Sequence, residues 1–324
     1  MALKHGLVVV SGAAGFVGRA LSAHLAATGT SCRRIVRAPS TDRPLREPPI
    51  VLGDLATTPD DRLRAAVEGA IAVVHLAGRA HVLRETASDA AAAYHAANVV
   101  ATQRLAQAAA RAGVQRFVLA STIKVHGEIS PPGRPLRADD PYAPHDAYAQ
   151  SKVEAERALA ACDGTAMAPI ILRLPLVYGP GVRGNFLALL DAVARRTLLP
   201  LASIDNRRDL VYVGNLVAAI AALPDCPEPP RGAWLIADGE AVSTPDLVRR
   251  IATALGVAPR LWAVPLPLLD LAARLAGRRA ELQRVATSLA VDASPLAQLV
   301  GAPPFTLDRG LDETAKWWRA RHSI

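Results

Sequence analysis

The sequence predicts an α/β protein in which helices cover both faces of a doubly wound parallel sheet, with a smaller, discontinuous C-terminal region added to it. Three observations support this prediction. Short apolar runs alternate with helical segments, a glycine-rich turn follows the first run, and the alternation becomes irregular after residue 175. Runs that are apolar throughout are typical of strands buried on both faces, as in parallel sheets.

Five short runs in the first 122 residues have the composition of strands. They are "LVVVSG" (7–12), "CRRIVR" (32–37), "PIVLGDL" (49–55), "AIAVVHLAG" (70–78) and "RFVLAST" (116–122). Between them, "FVGRALSAHLAATG" (16–29) carries apolar residues at helical spacing, and an Ala-rich helix is predicted over 88–112. This alternation predicts a parallel sheet.

The second half begins with "PIILRLPLVYGP" (169–180), which we interpret as the sixth strand. Pro and Gly then become frequent and the links between elements become irregular. Helices are predicted at 185–196, 244–256 and 266–277. Segments 208–220 and 233–240 contain further apolar runs, and we expect both to return to the sheet.

Composition points to a globular protein. Hydrophobic residues make up 51% of the 324 positions and charged residues 20%, a balance that favours a packed core over disorder. The most apolar late stretch, 261–276, is interrupted by prolines, Asp270 and Arg274, and is too short to cross a bilayer. The N-terminus leaves no room for a signal peptide and the three cysteines are scattered, so we expect a cytoplasmic protein without a disulfide framework or metal site.

The formal net charge of +8 raises the question of nucleic-acid binding. The arginines are scattered along the chain without a run of like charges, and aromatic residues that could stack on bases make up only 4% of it. A positive field also suits an anionic small molecule such as a nucleotide diphosphate. We therefore favour a small-molecule ligand over nucleic acid.

The first apolar run ends in a G-x-x-G-x-x-G turn at Gly12, Gly15 and Gly18 that leads into the first predicted helix. Gly12 permits the tight turn, Gly15 lets backbone amides approach a pyrophosphate, and Gly18 lets the helix pack on the strand. The helix N-terminus adds the positive end of its dipole. The turn predicts a Rossmann-type dinucleotide site formed by Gly12, Ala14, Gly15, Phe16, Val17 and Gly18.

The end of the second predicted strand bears on which dinucleotide binds. An NAD site usually has an acid here for the ribose 2′-hydroxyl, but this strand ends in Arg37. Arg37, helped by Arg33 or Arg34, could pair with a 2′-phosphate, so we favour NADP(H) over NAD(H); alternatively, Arg37 only solvates the strand end. Asp54 and Leu55 close the third strand where an adenine amine could be capped, although Asp54 could equally cap the following turn.

Tyr148 and Lys152 are four residues apart in "YAQSKVEAE", one turn along the same helical face. The usual pKa of a phenol, about 10, is too high for a base at neutral pH, but a lysine ammonium and a positive nicotinamide ring beside it would lower that pKa. Tyr148 could then exchange a proton with a sugar or alcohol hydroxyl held by Thr122 while hydride moves. The Y-x-x-x-K spacing alone is common on ordinary helices. Its combination with the glycine turn and with a hydroxyl at the end of a strand favours the catalytic interpretation.

Several motifs together resemble the extended short-chain dehydrogenases/reductases of the nucleotide-sugar epimerase/dehydratase family, over nearly the whole chain. They are the glycine turn, "GDL" (53–55), "HLAG" (75–78), "NVVAT" (98–102), "LAST" (119–122), Tyr148 with Lys152, and "LVYGPG" (176–181). The family implies a Rossmann domain for the cofactor, here residues 1–175 with 208–239 returning to it. It implies a smaller domain for a nucleotide sugar, here residues 176–207 and 240–324, and suggests a homodimer formed through helices of the Rossmann domain.

The resemblance also implies roles for individual residues. Thr122, Tyr148 and Lys152 correspond to the catalytic triad. Further cofactor contacts are implied for His75, Leu76, Ala77, Gly78, Pro175 and, as a helper beside the catalytic helix, Asn98. Substrate contacts are implied for His81, Ser121, Lys124, Asn185, Phe186, Arg208 and Arg284. Arg208 would meet the diphosphate, or would instead form a surface salt bridge with Asp209.

Two departures from the family pattern bear on activity. An Asn that often follows the arginine of the sixth strand by three residues is Leu176 here. Dehydratases carry Thr-Asp-Glu at the strand end, because eliminating water needs an acid and a base, whereas this chain reads Thr122-Ile123-Lys124. This argues against a 4,6-dehydratase. Lys124 could contact the substrate's diphosphate or acetamido group, or could be a solvated loop residue.

Within the family, "STIKVHGE", "YGPGVRGNF" and "DGEAVSTPDLVRRIATALG" most resemble a bacterial branch that acts on UDP-activated N-acetyl amino sugars for surface polysaccharide. Members of that branch are 4-epimerases, or reductases of a UDP-4-keto-6-deoxy-N-acetylhexosamine that give UDP-N-acetylquinovosamine. An epimerase recycles a tightly held NAD, whereas a net reductase exchanges its cofactor and draws on NADPH. Arg37 therefore favours 4-keto reduction, with a UDP-sugar 4-epimerase as the alternative and a non-catalytic NADP-binding sensor as the third hypothesis.

Overall fold

A computed structural model describes residues 6–39, 47–80, 89–162, 166–226, 228 and 230–322 of the chain. Its strands are β1 (Leu7–Ser11), β2 (Cys32–Val36), β3 (Ile50–Val51), β4 (Ala70–His75), β5 (Arg116–Thr122), β6 (Ala168–Leu174), β7 (Leu176–Tyr178), β8 (Leu210–Tyr212) and β9 (Gly232–Leu235). Its α-helices are α1 (Phe16–Ala27), α2 (Asp60–Val67), α3 (Ala90–Tyr94), α4 (Ala101–Arg111), α5 (Ala147–Ala160), α6 (Gly184–Ala194), α7 (Val213–Ala222), α8 (Thr244–Leu255), α9 (Leu266–Leu275), α10 (Arg279–Ala286), α11 (Ser294–Val300) and α12 (Leu307–His322). Within the described ranges, no helix has the length and apolar character needed to cross a membrane.

The large sheet contains seven strands in the order β3-β2-β1-β4-β5-β6-β9, and its neighbouring strands are parallel. The chain builds from β1 out to β3 and then returns to β4 on the other side of β1, so the direction of winding reverses between β1 and β4. Ser11 and His75, the last residues of those two strands, are register partners. The predicted fold class, a Rossmann-type doubly wound sheet, is confirmed. Such sheets bind ligands at the reversal, outside the carboxyl ends of the strands.

Helices cover both faces of the sheet, as the apolar strands predict. Val8 and Val10 of β1 point into one buried apolar cluster, whereas Val9 points into the other. The first cluster also contains Phe186 of α6 and Trp318 of α12, so the C-terminal helices extend the same core. The division of the chain into a cofactor domain and a substrate domain remains a prediction.

The structure differs from the sequence prediction in the arrangement of its later strands. Pro175, which has no amide proton to donate, divides the sixth predicted strand into β6 in the large sheet and β7 outside it. β7 pairs with β8 in a separate two-stranded sheet, so the expectation that segment 208–220 rejoins the large sheet is wrong. Segment 233–240 does contribute the last strand of that sheet, β9.

Two elements of the first half also differ from their predicted form. The third strand contains two residues rather than the predicted segment 49–55. The long helix predicted over 88–112 is present from residue 90, but it carries a π-helical stretch, His95–Val100, between α3 and α4. Such π-helical insertions are rare and are frequent at functional sites.

The small β7-β8 sheet is tied to the segment after β9 by the carboxylate of Asp238. This carboxylate accepts hydrogen bonds from the Tyr212 amide at 2.9 Å, the Tyr178 hydroxyl at 3.0 Å and the Asn215 side-chain amide at 2.7 Å. Burial raises the pKa of Asp238, and the three donors oppose that rise. The half-buried carboxylate therefore fixes the small sheet to the segment after β9.

Candidate active site

The glycine-rich turn lies between β1 and α1 at the carboxyl edge of the sheet. At two of its glycines a side chain would collide with neighbouring backbone atoms. Gly12 has a φ of +71°, and a Cβ on it would stand 2.5 Å from the backbone nitrogen of Ala77. A Cβ on Gly18 would overlap the carbonyl oxygen of Gly12. The turn thereby holds the start of α1 directly against the strand, and Gly15 at its tip is exposed.

The N-terminus of α1 has the character of an anion site. In the described part of the chain no side chain caps it, and its first turn carries no acidic residue. The free amides of that turn and the positive end of the helix dipole therefore face the carboxyl edge of the sheet. Ala14, Phe16 and Val17 lie in the same turn, and the Ala14 carbonyl accepts a hydrogen bond from Arg19 at 2.6 Å. These groups fit the pyrophosphate of a dinucleotide.

The segment after β4 forms the opposite wall of the glycine turn. The Leu76 amide donates to the Ser11 carbonyl at 3.1 Å, and Ala77 abuts Gly12. His75 is fully buried and its Nδ1 lies 2.6 Å from the Ser11 hydroxyl, while burial lowers its pKa to about 3. The neutral ring supports the segment from beneath, and a contact between His75 and the cofactor remains a prediction.

Asn98 lies in the π-helical stretch and joins the segment after β4 to helix α5. Its Oδ1 accepts from the Arg79 amide at 2.8 Å, and its Nδ2 donates to the Arg79 carbonyl at 3.1 Å and to the Ser151 hydroxyl at 2.8 Å. Ser151 in turn donates to the Tyr148 carbonyl at 2.7 Å. Both the oxygen and the nitrogen of the Asn98 side-chain amide form hydrogen bonds within the protein. This agrees with a helper role, and the predicted contact of Asn98 with the cofactor has no support.

The structure brings Thr122, Tyr148 and Lys152 together where β5 meets α5. The hydroxyls of Thr122 and Tyr148 are hydrogen-bonded to each other. The Lys152 ammonium is buried and donates to the Ala120 carbonyl at 2.8 Å. A Cβ on Gly78 would lie 3.5 Å from the same ammonium, so the segment after β4 closes directly over Lys152.

Burial shifts the pKa values of both titratable members of this group. It raises the pKa of Tyr148 to about 12, although the hydrogen bond with Thr122 opposes the rise. It lowers the pKa of Lys152 to about 8, and Glu156 opposes that change. The expectation that Lys152 lowers the pKa of the phenol is therefore not met by the chain's own residues. At neutral pH the arrangement presents a protonated phenol beside a lysine ammonium.

Ser121, predicted to contact substrate, takes part in a buried ion-pair network beneath Thr122, Tyr148 and Lys152. Its hydroxyl donates to Glu156, which also accepts from Arg173 at 2.7 Å and from the Tyr142 hydroxyl at 2.9 Å. Arg173 further contacts His126 at 2.7 Å. Successive strand residues point to opposite sides, so Thr122 faces the site while Ser121 faces this network.

Sequence reasoning missed the residues of this network. Glu156 follows Lys152 by four positions, and that helical spacing was the available signal that it lies below the lysine on α5. Arg173 and His126 come from β6 and the turn after β5, so only the fold brings them to Glu156. The network fixes α5 against β5 and β6 and so holds Thr122, Tyr148 and Lys152 in place.

Lys124 lies at the mouth of the site between two carboxylates. Its ammonium is 2.5 Å from Glu128 and 3.2 Å from Asp146, and the Asp146 side chain caps α5 by accepting from the Ala149 amide at 2.6 Å. Its side chain is mostly buried, so the interpretation of Lys124 as a freely solvated loop residue is wrong.

Two of the predicted substrate arginines converge on the same acidic residue. Arg284 of α10 lies 4.0 Å from Glu128. Arg208 is largely buried, which lowers its pKa, while the charge of Glu128 opposes the change. The Arg208 guanidinium donates to the Thr287 carbonyl at 2.8 Å rather than to Asp209, whose carboxylate accepts from the backbone. Glu128, which sequence reasoning missed, thus pairs with Lys124 and Arg284 and acts on the Arg208 guanidinium through its charge.

The end of β2 carries the residues that bear on cofactor choice. The Arg37 side chain is 83% exposed and its guanidinium lies 3.9 Å from Asp54. Asp54 also accepts from the Ala56 amide at 3.0 Å, as expected of a residue that caps a turn, and Leu55 beside it is buried. Arg33 donates to backbone carbonyls at the end of α2, at the opposite edge of the sheet, and cannot assist Arg37.

The remaining predicted residues divide between the site and the core. Asn185 is exposed at the start of α6. Phe186 is buried and its ring stacks on Tyr178 with centroids 5.3 Å apart, so its side chain cannot contact a nucleotide as predicted. Pro175 lies buried between β6 and β7. His81 lies outside the described residues.

Comparison with known proteins agrees with this geometry. A model of the NAD dependent epimerase/dehydratase family matches residues 8–236. A UDP-glucose 4-epimerase of Vibrio cholerae is 37% identical over 270 residues, covering 82% of this chain and 81% of the relative. A dTDP-6-deoxy-L-talose 4-dehydrogenase (NAD(P)(+)) of Kitasatospora kifunensis is 32% identical over 276 residues, covering 80% of this chain and 82% of the relative.

The fold is also shared with a solved structure. MoeE5, in complex with UDP-glucose and NAD, is 26% identical to this chain and superposes with a TM-score of 0.75. The match covers 98% of this chain and all of the other. This chain therefore belongs to the NAD-dependent epimerase/dehydratase family, within the extended short-chain dehydrogenases/reductases. Both the extent of the family match and the identity to the Vibrio cholerae enzyme show this.

Proposed function

We propose that this protein reduces the 4-keto group of a UDP-4-keto-6-deoxy-N-acetylhexosamine with NADPH, for surface polysaccharide synthesis. The observation that carries the proposal is the arrangement of Thr122, Tyr148 and Lys152 beside the glycine turn, at the point where the sheet reverses its winding. Together these residues supply a proton donor, a group that holds the reacting oxygen and a cation. Reduction of a carbonyl needs this set of groups.

The residues around the glycine turn are proposed to hold the dinucleotide. The uncapped start of α1 would bind the pyrophosphate, and Leu76, Ala77, Gly78 and Pro175 would flank the rest of the cofactor. When bound, the nicotinamide supplies or accepts the hydride. The lack of space around Gly12 and Gly18 explains why larger residues would disrupt this wall.

Tyr148 is proposed to act as the acid in the reductive direction. A pKa of about 12 keeps its hydroxyl protonated at neutral pH, ready to give its proton to the C4 oxygen. Thr122 holds that oxygen in line, and the Lys152 ammonium together with the positive ring of a bound, oxidised nicotinamide would stabilise the phenolate that remains. The sugar carbonyl gains a hydride at carbon and a proton at oxygen, so it becomes a hydroxyl. The proton is then restored to Tyr148 from solvent.

NADP(H) is the proposed cofactor because the residue that follows β2 is Arg37 rather than an acid. The highly exposed Arg37 guanidinium is free to turn toward a 2′-phosphate, whereas its distant contact with Asp54 is weak. A charge-assisted pair with phosphate would favour NADPH over NADH.

The substrate is proposed to bind at the mouth formed by Lys124, Arg208, Arg284 and Asn185. Three cations gathered around Glu128 suit the diphosphate of a UDP-sugar. Asn185 and Arg284 belong to the substrate domain proposed for residues 176–207 and 240–324, Arg208 directly follows the first of these segments, and Lys124 reaches in from the loop after β5. The same loop argues against dehydration, which needs the acidic pair Asp-Glu at positions 123 and 124. Ile123 is aliphatic and buried in the core, and Lys124 is a cation.

A UDP-sugar 4-epimerase is the second candidate, and the 37% identity to a UDP-glucose 4-epimerase favours it. Both functions use the same residues at C4 and differ in whether the cofactor is consumed. The test is to mix the protein with NADPH and the 4-keto substrate and to follow the absorbance of reduced nicotinamide. Stoichiometric loss supports the reductase. No loss, together with conversion of UDP-N-acetylglucosamine to its 4-epimer on bound NAD, overturns it.

A further inference from the structure

We infer that helix α9 docks this protein onto an anionic membrane surface. Of the helix's residues only Leu269 is buried. Leu268, Leu271 and Leu275 are 57%, 54% and 83% exposed. Trp262, four residues before the helix, is 60% exposed. Large apolar side chains therefore gather on one exposed segment.

The three leucines form a single stripe on α9. Positions 268, 271 and 275 follow one another at spacings of three and four, so they lie on one face of the helix. At about 100° per residue, Leu269 projects from the opposite side, toward the protein. A surface helix of a soluble protein normally turns its polar face to water. Here the outward face is apolar, which is the arrangement expected of a helix that lies in a bilayer interface.

The charges beside the stripe identify the surface that it fits. Residues 260–281 contain four arginines and two acidic residues. Arg274, Arg278 and Arg279 lie at the end of α9 and the start of α10, and their side chains are 55%, 69% and 49% exposed. Asp270 pairs with Arg274 and Arg279, and Glu281 pairs with Arg278, so the segment keeps a positive excess. Leucine and tryptophan beside arginine match an anionic lipid headgroup layer.

A second copy of the chain is a poorer match for this face. From Leu268 to Leu275 the stripe is roughly 10 Å long, and its side chains offer a few hundred Å², against about 800 Å² per partner in a standard interface. A symmetric contact through α9 would also bring each arginine cluster close to its own copy. The like charges would repel each other, whereas anionic headgroups would neutralise them.

Docking through α9 would also orient the candidate site. The chain runs from α9 directly into α10, which carries Arg284 to within 4.0 Å of Glu128 at the mouth of the site. The helix pair therefore connects the docking face to the substrate end of the molecule. A docked protein would hold that end near the bilayer.

The test is flotation of the purified full chain with unilamellar vesicles. One set contains equimolar phosphatidylcholine and phosphatidylglycerol, and the other contains phosphatidylcholine alone. We expect about tenfold or more protein with the anionic vesicles, and loss of the difference at high salt. Leu268→Ser/Leu271→Ser/Leu275→Ser should abolish flotation, and Arg278→Glu/Arg279→Glu should remove the preference for anionic lipid. Leu176→Ser/Leu299→Ser, which changes exposed leucines elsewhere, should float like the wild type.

Three results would overturn the inference. The wild type could fail to float with either vesicle, or the triple leucine variant could float as well as the wild type while unfolding at the same temperature. The wild type could also sediment as a dimer without lipid and the triple variant as a monomer, which would make α9 an interface between copies. The arginine variant keeps the test decisive if the leucine variant does not fold.

Discussion

The Lys124 ammonium lies 2.5 Å from Glu128 Oε1, so the cation at the mouth of the site is held by a carboxylate. Asp146 holds the same ammonium at 3.2 Å and also caps α5, the helix that carries Tyr148 and Lys152. The loop after β5 and the start of α5 are therefore fixed to each other through one lysine. Glu128 occupies the position among three cations that the proposed function assigns to the substrate's diphosphate.

Glu128→Gln should strengthen binding of UDP. The substitution keeps the size of the side chain and removes the negative charge that competes with the diphosphate for Lys124, Arg208 and Arg284. An ion pair of this exposure is worth about 1 kcal/mol, so we expect Kd for UDP to fall by roughly fivefold in calorimetric titration. Glu313→Gln, which alters an exposed pair with Lys316, is the control and should leave Kd unchanged. Weaker binding by Glu128→Gln would show that the carboxylate assists the ligand.

Tyr148→Phe should abolish turnover and leave cofactor binding nearly intact. Phenylalanine fills the same space but cannot give a proton to the C4 oxygen, and general acid catalysis is worth about 10²–10⁴ in rate. Steady-state kinetics should show the loss in kcat, while fluorescence titration with NADPH should give a Kd within about twofold of the wild type. Retained activity would refute the assignment of Tyr148 as proton donor.

The rate of reduction should fall as pH rises through about 8. The pKa of Lys152 is lowered to about 8 by burial, so its ammonium is present below that pH and is lost above it. Tyr148, with a pKa of about 12, stays protonated across this range and does not produce the fall. The measurement is kcat/KM for carbonyl reduction between about pH 6 and 10. Lys152→Arg keeps its charge over that interval, so any residual activity should lack the fall, and a flat wild-type profile would contradict the role of Lys152.

Glu156→Gln should destabilise the fold by about 3 kcal/mol, because it leaves Arg173 buried without its counter-ion. Chemical denaturation of the apo-protein measures this difference in the free energy of unfolding. Glu313→Gln is again the matched control, since it breaks an exposed pair and should cost less than about 1 kcal/mol. Equal effects of the two substitutions would mean that the buried network does not hold α5 in place.

Arg37→Ser should weaken binding of NADPH about tenfold or more and leave NADH binding unchanged, because only NADPH carries the 2′-phosphate. Titration of each cofactor into the variant measures the change in preference. Arg33→Ser is the control from the same strand, because Arg33 binds carbonyls at the opposite edge of the sheet. Equal losses for both cofactors would rule out a contact between Arg37 and the phosphate.

Much of the fold follows from local sequence. Apolar strands, the glycine turn before α1 and the Tyr148–Lys152 spacing each depend on residues close together in the chain, so pattern and periodicity predict them. The pairing of β7 with β8 could not be predicted in this way. Both are three-residue runs whose partner is selected by the tertiary fold, where Asp238 receives donors from both.

The site was predicted less completely than the fold, for the same reason. Ser121 and Thr122 are neighbours in sequence, yet the strand turns one toward Glu156 and the other toward Tyr148. Lys124 could not be assigned from sequence because its partner Asp146 follows 22 positions later. Phe186 occupies a sequence position where the family resemblance implies a ligand contact. An aromatic ring can equally be buried in the apolar core, and the Phe186 ring is buried there against Tyr178.

The central claim is that hydride passes to C4 of a nucleotide sugar. Its most direct test uses NADPH that is doubly deuterated at C4 of the nicotinamide, mixed with the protein and the UDP-4-keto-6-deoxy-N-acetylhexosamine. We predict that the product is a UDP-6-deoxy-N-acetylhexosamine with one deuterium at sugar C4, detected by mass spectrometry and proton NMR, and that one NADPH is oxidised per product. A product with protium at C4, or no oxidation of NADPH at all, would contradict the account.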